Sequence, residues 1–182
     1  MMLQIDKILE YNKSFVENKE YVQYETSKYP DRHLLIVTCM DTRLTELLPH
    51  AIGIKNGDAQ VVKTAGAVIT NPYGSEMRSI LVGIYDMGVK EIIVIGHDDC
   101  GMQGLKSDKL INEMRERGID EKHLDSHICC ETNMDSWLTG FENVEEAVKK
   151  SVDIIKNHPL IPEGIIVNGL VIDPKTGALR RA

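Results

Sequence analysis

Apolar residues in this chain form several short runs of strand length, and the segments between them are polar or have helical spacing. A continuous apolar run is typical of a strand that is covered on both faces, as in a parallel sheet. The predicted strands are residues 34–38, 59–63, 91–95 and 165–172, and a turn leads from the last of these into a short final strand. This pattern predicts an α/β fold with a mostly parallel β-sheet core flanked by helices and a short C-terminal edge strand.

Helical patterns occupy segments between and after these strands. Asn71 is the expected N-cap of one helix, with Pro72 in its first turn, and apolar residues recur at helical spacing until Gly88. Asn143 is the expected N-cap of another helix, which ends before Pro159. A strand, a helix and the next parallel strand form a right-handed crossover, so these helices are expected to cover the sheet.

Residues 3–25 have a roughly helical pattern of apolar and charged residues ahead of the first strand. With 182 residues and 42% apolar content, the chain is long enough for one substantial core and too short for two. We therefore expect a single domain over residues 1–182, in which residues 1–28 form an N-terminal helical arm. So small a domain offers this arm no obvious surface of its own to cover.

The formal net charge of −7 and the pI near 5.4 argue against nucleic acid as a partner. Asp6, Lys7 and Glu10 interrupt any signal-peptide core, and no apolar run reaches the roughly 18 residues that span a membrane. We therefore expect a cytoplasmic protein with no membrane contact. A reducing compartment keeps Cys39 and Cys100 available as metal ligands.

Candidate chemistry follows two of the predicted strands. Cys39 comes directly after the first strand, and His97 and Cys100 come after the third. Ligands of open α/β sheets collect beyond the carboxyl ends of the strands, so these three side chains are expected to meet. Two thiolates and one imidazole are ligands that Zn²⁺ prefers, and three protein ligands leave a fourth position for water, as in catalytic zinc sites. The sequence therefore predicts one zinc ion per chain and metal-assisted hydration or hydrolysis.

Asp41 and Arg43 are the expected catalytic residues beside the zinc. The Asp41 carboxylate can either accept a hydrogen bond from a zinc-bound hydroxide or become a fourth ligand that closes the metal. Arg43 has a planar guanidinium fork that can bind both carboxylate oxygens and hold Asp41 off the metal. A simple structural ion pair is the alternative for these two residues. Because two thiolates offset part of the metal charge, we expect a bound-water pKa above about 7 and activity that rises toward alkaline pH.

The two motifs resemble those of the β-class carbonic anhydrases, in the compact prokaryotic branch. The hallmarks of that family are Cys-x-Asp-x-Arg and His-x-x-Cys at strand ends, and they occur here at residues 39–43 and 97–100. Residues 158–162 and 168–174 look like the same branch. The resemblance covers nearly the whole chain, and two motifs in order on matching strands are specific.

The resemblance implies reversible hydration of carbon dioxide to bicarbonate and a proton by a zinc-bound hydroxide. It implies Cys39, His97 and Cys100 as the zinc ligands, with Asp41 and Arg43 as the orienting pair. It also implies an obligate homodimer or a higher homo-oligomer, in which the N-terminal arm of one subunit embraces the other.

Two other functions can use the same residues. Related hydrolases of carbon disulfide or carbonyl sulfide share this fold and these ligands, and they differ mainly in access to the cleft. A non-catalytic module that binds zinc or senses bicarbonate needs Asp41 to close the metal, and the presence of Arg43 argues against it. One departure from many relatives is Lys63-Thr64 in place of Arg-Asn. It leaves the ligand set untouched, and we expect a difference in loop hydrogen bonding near the cleft or interface.

Several other polar side chains are left out of the site. Asp98 and Asp99 are expected to cap the following turn or to face solvent. Cys129 and Cys130 are adjacent and poorly placed for a bridge, so we expect burial rather than a redox role.

A histidine is expected to move the proton away from the zinc, because only histidine titrates unperturbed near neutral pH. The candidates are His33, His50, His123, His127 and His158, and the sequence does not choose among them.

Overall fold

The structure, a computed structural model, describes residues 3–124 and 134–182. Within these residues a five-stranded sheet has the strand order β2-β1-β3-β4-β5. The strands are β1 Leu34–Cys39, β2 Ala59–Thr64, β3 Glu91–His97, β4 Ile166–Ile172 and β5 Leu179–Arg181. The pairings of β1 with β2, β1 with β3 and β3 with β4 are parallel, and that of β4 with β5 is antiparallel. The predicted α/β fold with a mostly parallel sheet and a short C-terminal edge strand is therefore confirmed.

Helices cover both faces of the sheet. The α-helices of the described ranges are α1 Gln4–Glu17, α2 Leu44–Ala51, α3 Ser75–Tyr85, α4 Ser107–Glu116, α5 Glu121–Leu124, α6 Met134–Leu138 and α7 Val144–Lys156. The sequence pattern did not predict α2, because a helix of 8 residues that contains Pro49 offers little periodicity. None of the helices in the described ranges is long and apolar enough to cross a lipid bilayer.

Helix α3 begins at Ser75, later than the sequence pattern predicts. The Asn71 side chain accepts a hydrogen bond from the Tyr73 backbone N–H at 2.8 Å. Asparagine forms such local turns in competition with helix capping, so Asn71 belongs to a turn ahead of the helix. Asn143 does cap α7 as predicted, since its side-chain oxygen accepts from the Glu146 N–H at 2.9 Å.

The hydrophobic core lies on both faces of the sheet. Side chains along β1 alternate, so that Leu35 and Val37 pack on one face and Leu34 and Ile36 pack on the other. The first face is covered by α3 and α7, and the second by α2. All 6 residues of β1 are buried, as expected for a strand inside a parallel sheet.

Helix α7 packs closely on β3 and β4 at two glycines. A Cβ atom at Gly96 would lie 2.7 Å from Cγ2 of Val148 and 2.8 Å from Cγ2 of Val144. A Cβ atom at Gly169, on the neighbouring strand, would lie 2.7 Å from Cγ1 of Val148. Such distances are too short for two carbon atoms in a close-packed interior, so glycine allows this approach. The helix therefore packs directly against the residue that precedes His97.

Residues 3–28, the described part of the N-terminal arm, contribute no buried side chain to this core. Helix α1 ends at Glu17, and Lys19 adopts a left-handed φ of 55° before a 3-10 turn at Glu20–Tyr24. The predicted helical pattern over residues 3–25 is therefore divided into two elements. Most apolar side chains of α1 are exposed, and Phe15 is partly covered by stacking on Tyr24 of the 3-10 turn. The apolar face of α1 therefore stays largely uncovered within its own chain.

The close approach of α7 makes Gly96 a sensitive position. We expect Gly96→Ala to destabilise the fold by about 1–3 kcal/mol, because the added methyl group must displace Val144 and Val148. Equilibrium unfolding in urea measures this change. Adding Val148→Ala to the same chain should cost less than the sum of the two single changes, because the shorter side chain makes room.

The control for this prediction is Gly101→Ala, since a Cβ atom at Gly101 meets nothing within 4 Å. Equal losses of stability at Gly96 and Gly101 would contradict the packing argument. Strict additivity of Gly96→Ala and Val148→Ala would do the same.

Candidate metal centre

The ends of two neighbouring strands bring the candidate ligands together. Cys39 is the last residue of β1, and His97 is the last residue of β3. These strands pair in parallel, with Thr38 opposite Ile95, so both deliver their last residues to one edge of the sheet. The turn after β3 then returns Cys100 to the same place. The three side chains that the sequence proposed as ligands thus lie side by side.

The three ligand atoms form a compact, buried group. The two sulfur atoms and the ring nitrogen lie within 4.8 Å of one another, and Cys39, His97 and Cys100 are only 4%, 1% and 6% exposed. The two sulfur atoms are 3.9 Å apart. Two sulfur ligands at about 2.3 Å from a tetrahedral zinc ion lie about 3.8 Å apart, so the observed spacing fits that metal. In residues 3–124 and 134–182, this is the one group of its kind that could hold a metal ion.

One ring nitrogen of His97 forms a hydrogen bond, and the other is free to bind a metal ion. Nδ1 lies 2.8 Å from the carbonyl oxygen of Asp98, and a carbonyl only accepts, so Nδ1 carries the proton. Nε2 is buried and has no hydrogen-bond partner among the described residues. A buried polar atom without a partner is costly. The ring therefore has the state expected of a metal ligand, whose second nitrogen is commonly held by a carbonyl or carboxylate.

Hydrogen bonding favours the thiolate form of Cys39. The hydrogen bond with Cys100 lowers the pKa of Cys39, while the same pairing and burial raise the pKa of Cys100. The backbone N–H of Gly66 also donates to the Cys39 sulfur at 3.3 Å. Gly66 has a φ of 80°, a conformation that favours glycine. Since the thiolate is the form that binds metals, the local electrostatics prepare Cys39 for that role.

Asp41 and Arg43 form a bidentate ion pair beside the ligand group. Arg43 Nε donates to Asp41 Oδ1 at 3.0 Å, and Arg43 Nη2 donates to Oδ2 at 2.8 Å. These hydrogen bonds lower the pKa of Asp41 to about 2, so the carboxylate stays ionised. Asp41 Oδ2 lies 3.8 Å from His97 Nε2. The carboxylate is thus close to the candidate metal position while Arg43 holds both of its oxygens.

Asp98 and Asp99 are contacts of the site that the sequence pattern does not reveal. Arg43 Nη1 donates to Asp99 Oδ2 at 2.8 Å, and Nη2 donates to the Asp99 carbonyl oxygen at 2.8 Å. Asp98 accepts two hydrogen bonds from Arg180 of β5. Both carboxylates face solvent in part, as expected, but each also holds an arginine from a distant part of the chain. The sequence feature that could have indicated these contacts is the pair of consecutive acidic residues between His97 and Cys100.

Lys63 and Thr64 lie on β2, with Thr64 opposite Cys39 in the sheet. Lys63 Nζ lies 3.4 Å from Thr45 Oγ1. Thr64 Oγ1 is buried and has no hydrogen-bond partner within the part of the chain that the structure describes. Neither residue belongs to the candidate ligand group.

Three of the histidines proposed as proton carriers are hydrogen-bonded to the backbone. His33 and His50 each hydrogen-bond to a backbone carbonyl oxygen. His158 is buried, and its Nδ1 accepts from a backbone N–H. His127 lies outside the described residues, as do Cys129 and Cys130, so their expected roles stay predictions.

Comparisons with known proteins agree with this geometry. A family model described as carbonic anhydrase matches residues 34–179. The chain is 50% identical over 178 residues to a protein of Bacillus subtilis (strain 168) named "Putative carbonic anhydrase YtiB", with coverage of 98% of this chain and 95% of that protein. The crystal structure of β-carbonic anhydrase isoform I from Trichomonas vaginalis matches with a TM-score of 0.89 and 36% identity, covering 99% of this chain and 97% of the other.

A carbon disulfide hydrolase is also similar to this chain. The enzyme from Acidithiobacillus thiooxidans is 31% identical over 158 residues, which cover 82% of this chain and 77% of the hydrolase. The family model, the relatives matched over nearly the full length and the shared fold all point the same way. The chain belongs to the β-carbonic anhydrase family.

Proposed function

We propose that this protein is a zinc enzyme that reversibly hydrates carbon dioxide to bicarbonate and a proton. The observation that carries the proposal is the convergence of Cys39, His97 and Cys100 beside an aspartate that an arginine holds by both oxygens. Three protein ligands leave one position for water, which is the arrangement of catalytic zinc. Membership of the carbonic anhydrase family supports the same reaction.

The geometry gives each residue a part in this reaction. Cys39, His97 and Cys100 would hold the zinc ion, which would supply Lewis-acid chemistry that acidifies a water molecule. Asp41 stays ionised because its hydrogen bonds with Arg43 lower its pKa to about 2, so its Oδ2 can only accept a hydrogen bond and thereby orients the attacking water. Arg43 binds both oxygens of Asp41 and so would keep the carboxylate from becoming a further metal ligand.

Hydrolysis of carbon disulfide or carbonyl sulfide is a second candidate, because carbon disulfide hydrolases are among the relatives. The identity to the Acidithiobacillus hydrolase is 31%, against 50% for the Bacillus relative that is matched over nearly the whole chain. This difference favours carbon dioxide as the substrate. The non-catalytic alternative requires Asp41 to bind the metal, and the bidentate pair with Arg43 argues against it.

Turnover of carbon dioxide tests the proposal directly. We expect protein with about one zinc per chain to hydrate carbon dioxide in a stopped-flow assay, at a rate that rises from neutral to alkaline pH. Removal of the metal by a chelator should abolish turnover, and zinc should restore it. Zinc-loaded protein that is inactive on carbon dioxide but hydrolyses carbon disulfide would establish the second candidate instead. Inactivity on both gases would favour the non-catalytic module.

Arg43→Ala tests how the arginine controls Asp41. Without the guanidinium fork, Asp41 is free to bind the metal as a fourth ligand. We expect kcat/KM to fall by about 10- to 100-fold, in line with the loss of charge-assisted hydrogen bonds. The cobalt-substituted variant should also lose the spectral response to small anions that an open site gives. Arg78→Ala, on the exposed surface of α3, is the control, and undiminished turnover in Arg43→Ala would refute this role.

We also propose that residues 1–182 form a single domain whose N-terminal arm, residues 1–28, packs on a second copy of the chain. In α1, Ile5, Ile8 and Leu9 are 54%, 53% and 61% exposed. Contiguous exposed apolar side chains of this kind mark protein interfaces. A homodimer or higher homo-oligomer would cover them.

Sedimentation of the full chain tests the role of the arm. We expect the wild type to sediment as a dimer or a higher oligomer of the 20.5 kDa chain. Replacing Ile8 and Leu9 together by Glu should shift the protein toward monomer, because an unpaired charge is costly to bury in an interface. Glu10→Gln changes the charge of the same helix and should leave assembly unchanged. A wild-type monomer, or a double variant that assembles normally, would contradict the proposal.

A further inference from the structure

We propose that Arg180 is a positioning residue of the metal centre, which acts through Asp98 on the orientation of His97. The inference rests on the metal site of the proposed function. It extends that site to β5 and α7, two elements that supply no candidate ligand.

Arg180 holds the turn after β3 through a bidentate ion pair. Its Nη1 donates to Asp98 Oδ2 at 2.7 Å, and its Nη2 donates to Asp98 Oδ1 at 2.6 Å. Glu145, in the first turn of α7, accepts from Arg180 Nη2 at 2.6 Å and from Nε at 3.1 Å. One guanidinium group therefore connects the turn to a second carboxylate on a separately anchored helix.

Asp98 is the residue whose backbone orients the imidazole. Its carbonyl oxygen lies 2.8 Å from His97 Nδ1, and its N–H donates to the carbonyl oxygen of Ile172 at 3.1 Å. The side chain of Asp98 adds the pair with Arg180, so the residue is held at three points. Rotation of the Asp98 backbone would turn its carbonyl away from Nδ1 and release the ring. Arg180 opposes that rotation.

The sheet brings Arg180 within reach of this turn. Arg180 pairs with Val171 in the antiparallel ladder of β5 and β4, and Ile172 pairs with His97 in the parallel ladder of β4 and β3. The side chain therefore extends across β4 to the end of β3. Neighbouring residues of a strand point to opposite faces, so Arg181 points away from Asp98. Arg181 is exposed and has no side-chain partner among residues 3–124 and 134–182.

The expected effect of Arg180 is local. The side chains of Arg180, Asp98 and Glu145 are 44%, 41% and 31% exposed. Ion pairs this open to solvent contribute little to the stability of a fold. Loss of Arg180 should therefore loosen the orientation of His97 while the sheet remains intact, and metal retention reports that difference.

Zinc release measures this positioning role independently of turnover. The zinc-loaded full chain is mixed with an excess of a chromophoric chelator, and the rate of zinc transfer is followed. We expect Arg180→Ala to release zinc about 10-fold faster than the wild type, since partners that orient a metal-bound histidine commonly change metal affinity by about 10- to 100-fold. Arg181→Ala removes the same charge from the same strand and should release zinc at the wild-type rate.

Further variants distinguish the effect of the bidentate ion pair from the effect of the positive charge of Arg180. Arg180→Lys retains the charge without the fork, so its release rate should fall between those of the wild type and Arg180→Ala. Asp98→Ala should match Arg180→Ala, and the double variant should be no faster than either single one, because both changes remove one interaction. Circular dichroism establishes that each variant is folded.

Equal rates for the wild type and Arg180→Ala would overturn the inference, as would an Arg181→Ala protein that releases zinc as fast as Arg180→Ala. If Arg180→Ala does not fold, Arg180→Lys and Glu145→Gln take its place, and wild-type rates in both would overturn it. Zinc-loaded wild type that hydrates no carbon dioxide would refute the proposed function alone, since faster zinc release from Arg180→Ala would still support the positioning role.

Discussion

The parallel pairing of β1 with β3 is the constraint on which the candidate metal centre depends. Both strands are held in register inside a covered sheet, and each ends on a candidate ligand, so Cys39 and His97 meet without help from a flexible loop. Only Cys100 comes from a turn. Gly96 allows α7 to pack against the backbone just before His97, which limits any shift of the strand that carries the imidazole. The packed core thus fixes the positions of these two ligands.

Arginine side chains join the segments that the sheet alone does not connect. The loop after β1 and the turn after β3 are linked because Arg43 binds both Asp41 and Asp99. The same turn is linked to the edge of the sheet because Arg180 binds Asp98. In a chain with a formal charge of −7, these cations balance carboxylates that surround two sulfur ligands. The planar guanidinium group suits this task because it binds two partners at once in fixed directions.

The strands and the ligand residues could be predicted because buried parallel strands are continuous apolar runs and because ligands collect at their carboxyl ends. The start of α3 was harder to predict. The Asn71 side chain can either cap a helix or form a turn, and the local backbone geometry decides between the two. The contact of Asp98 with Arg180 could not be predicted, because the two residues lie 82 positions apart and an exposed arginine has no sequence signature for its partner. The order of the strands in the sheet brings them together, and the pattern of apolar residues does not reveal that order.

The ion pairs around the buried ligands are themselves open to solvent. Arg43 and Asp99 are 37% and 77% exposed, and Arg180 and Asp98 are 44% and 41% exposed. Dissolved salt weakens ion pairs that are exposed to solvent, whereas it does not weaken the apolar contacts of the core. The ionic strength of the surroundings can therefore act on the orientation of ligands that water itself hardly reaches. We therefore expect the metal centre to respond to salt more strongly than the apolar core does.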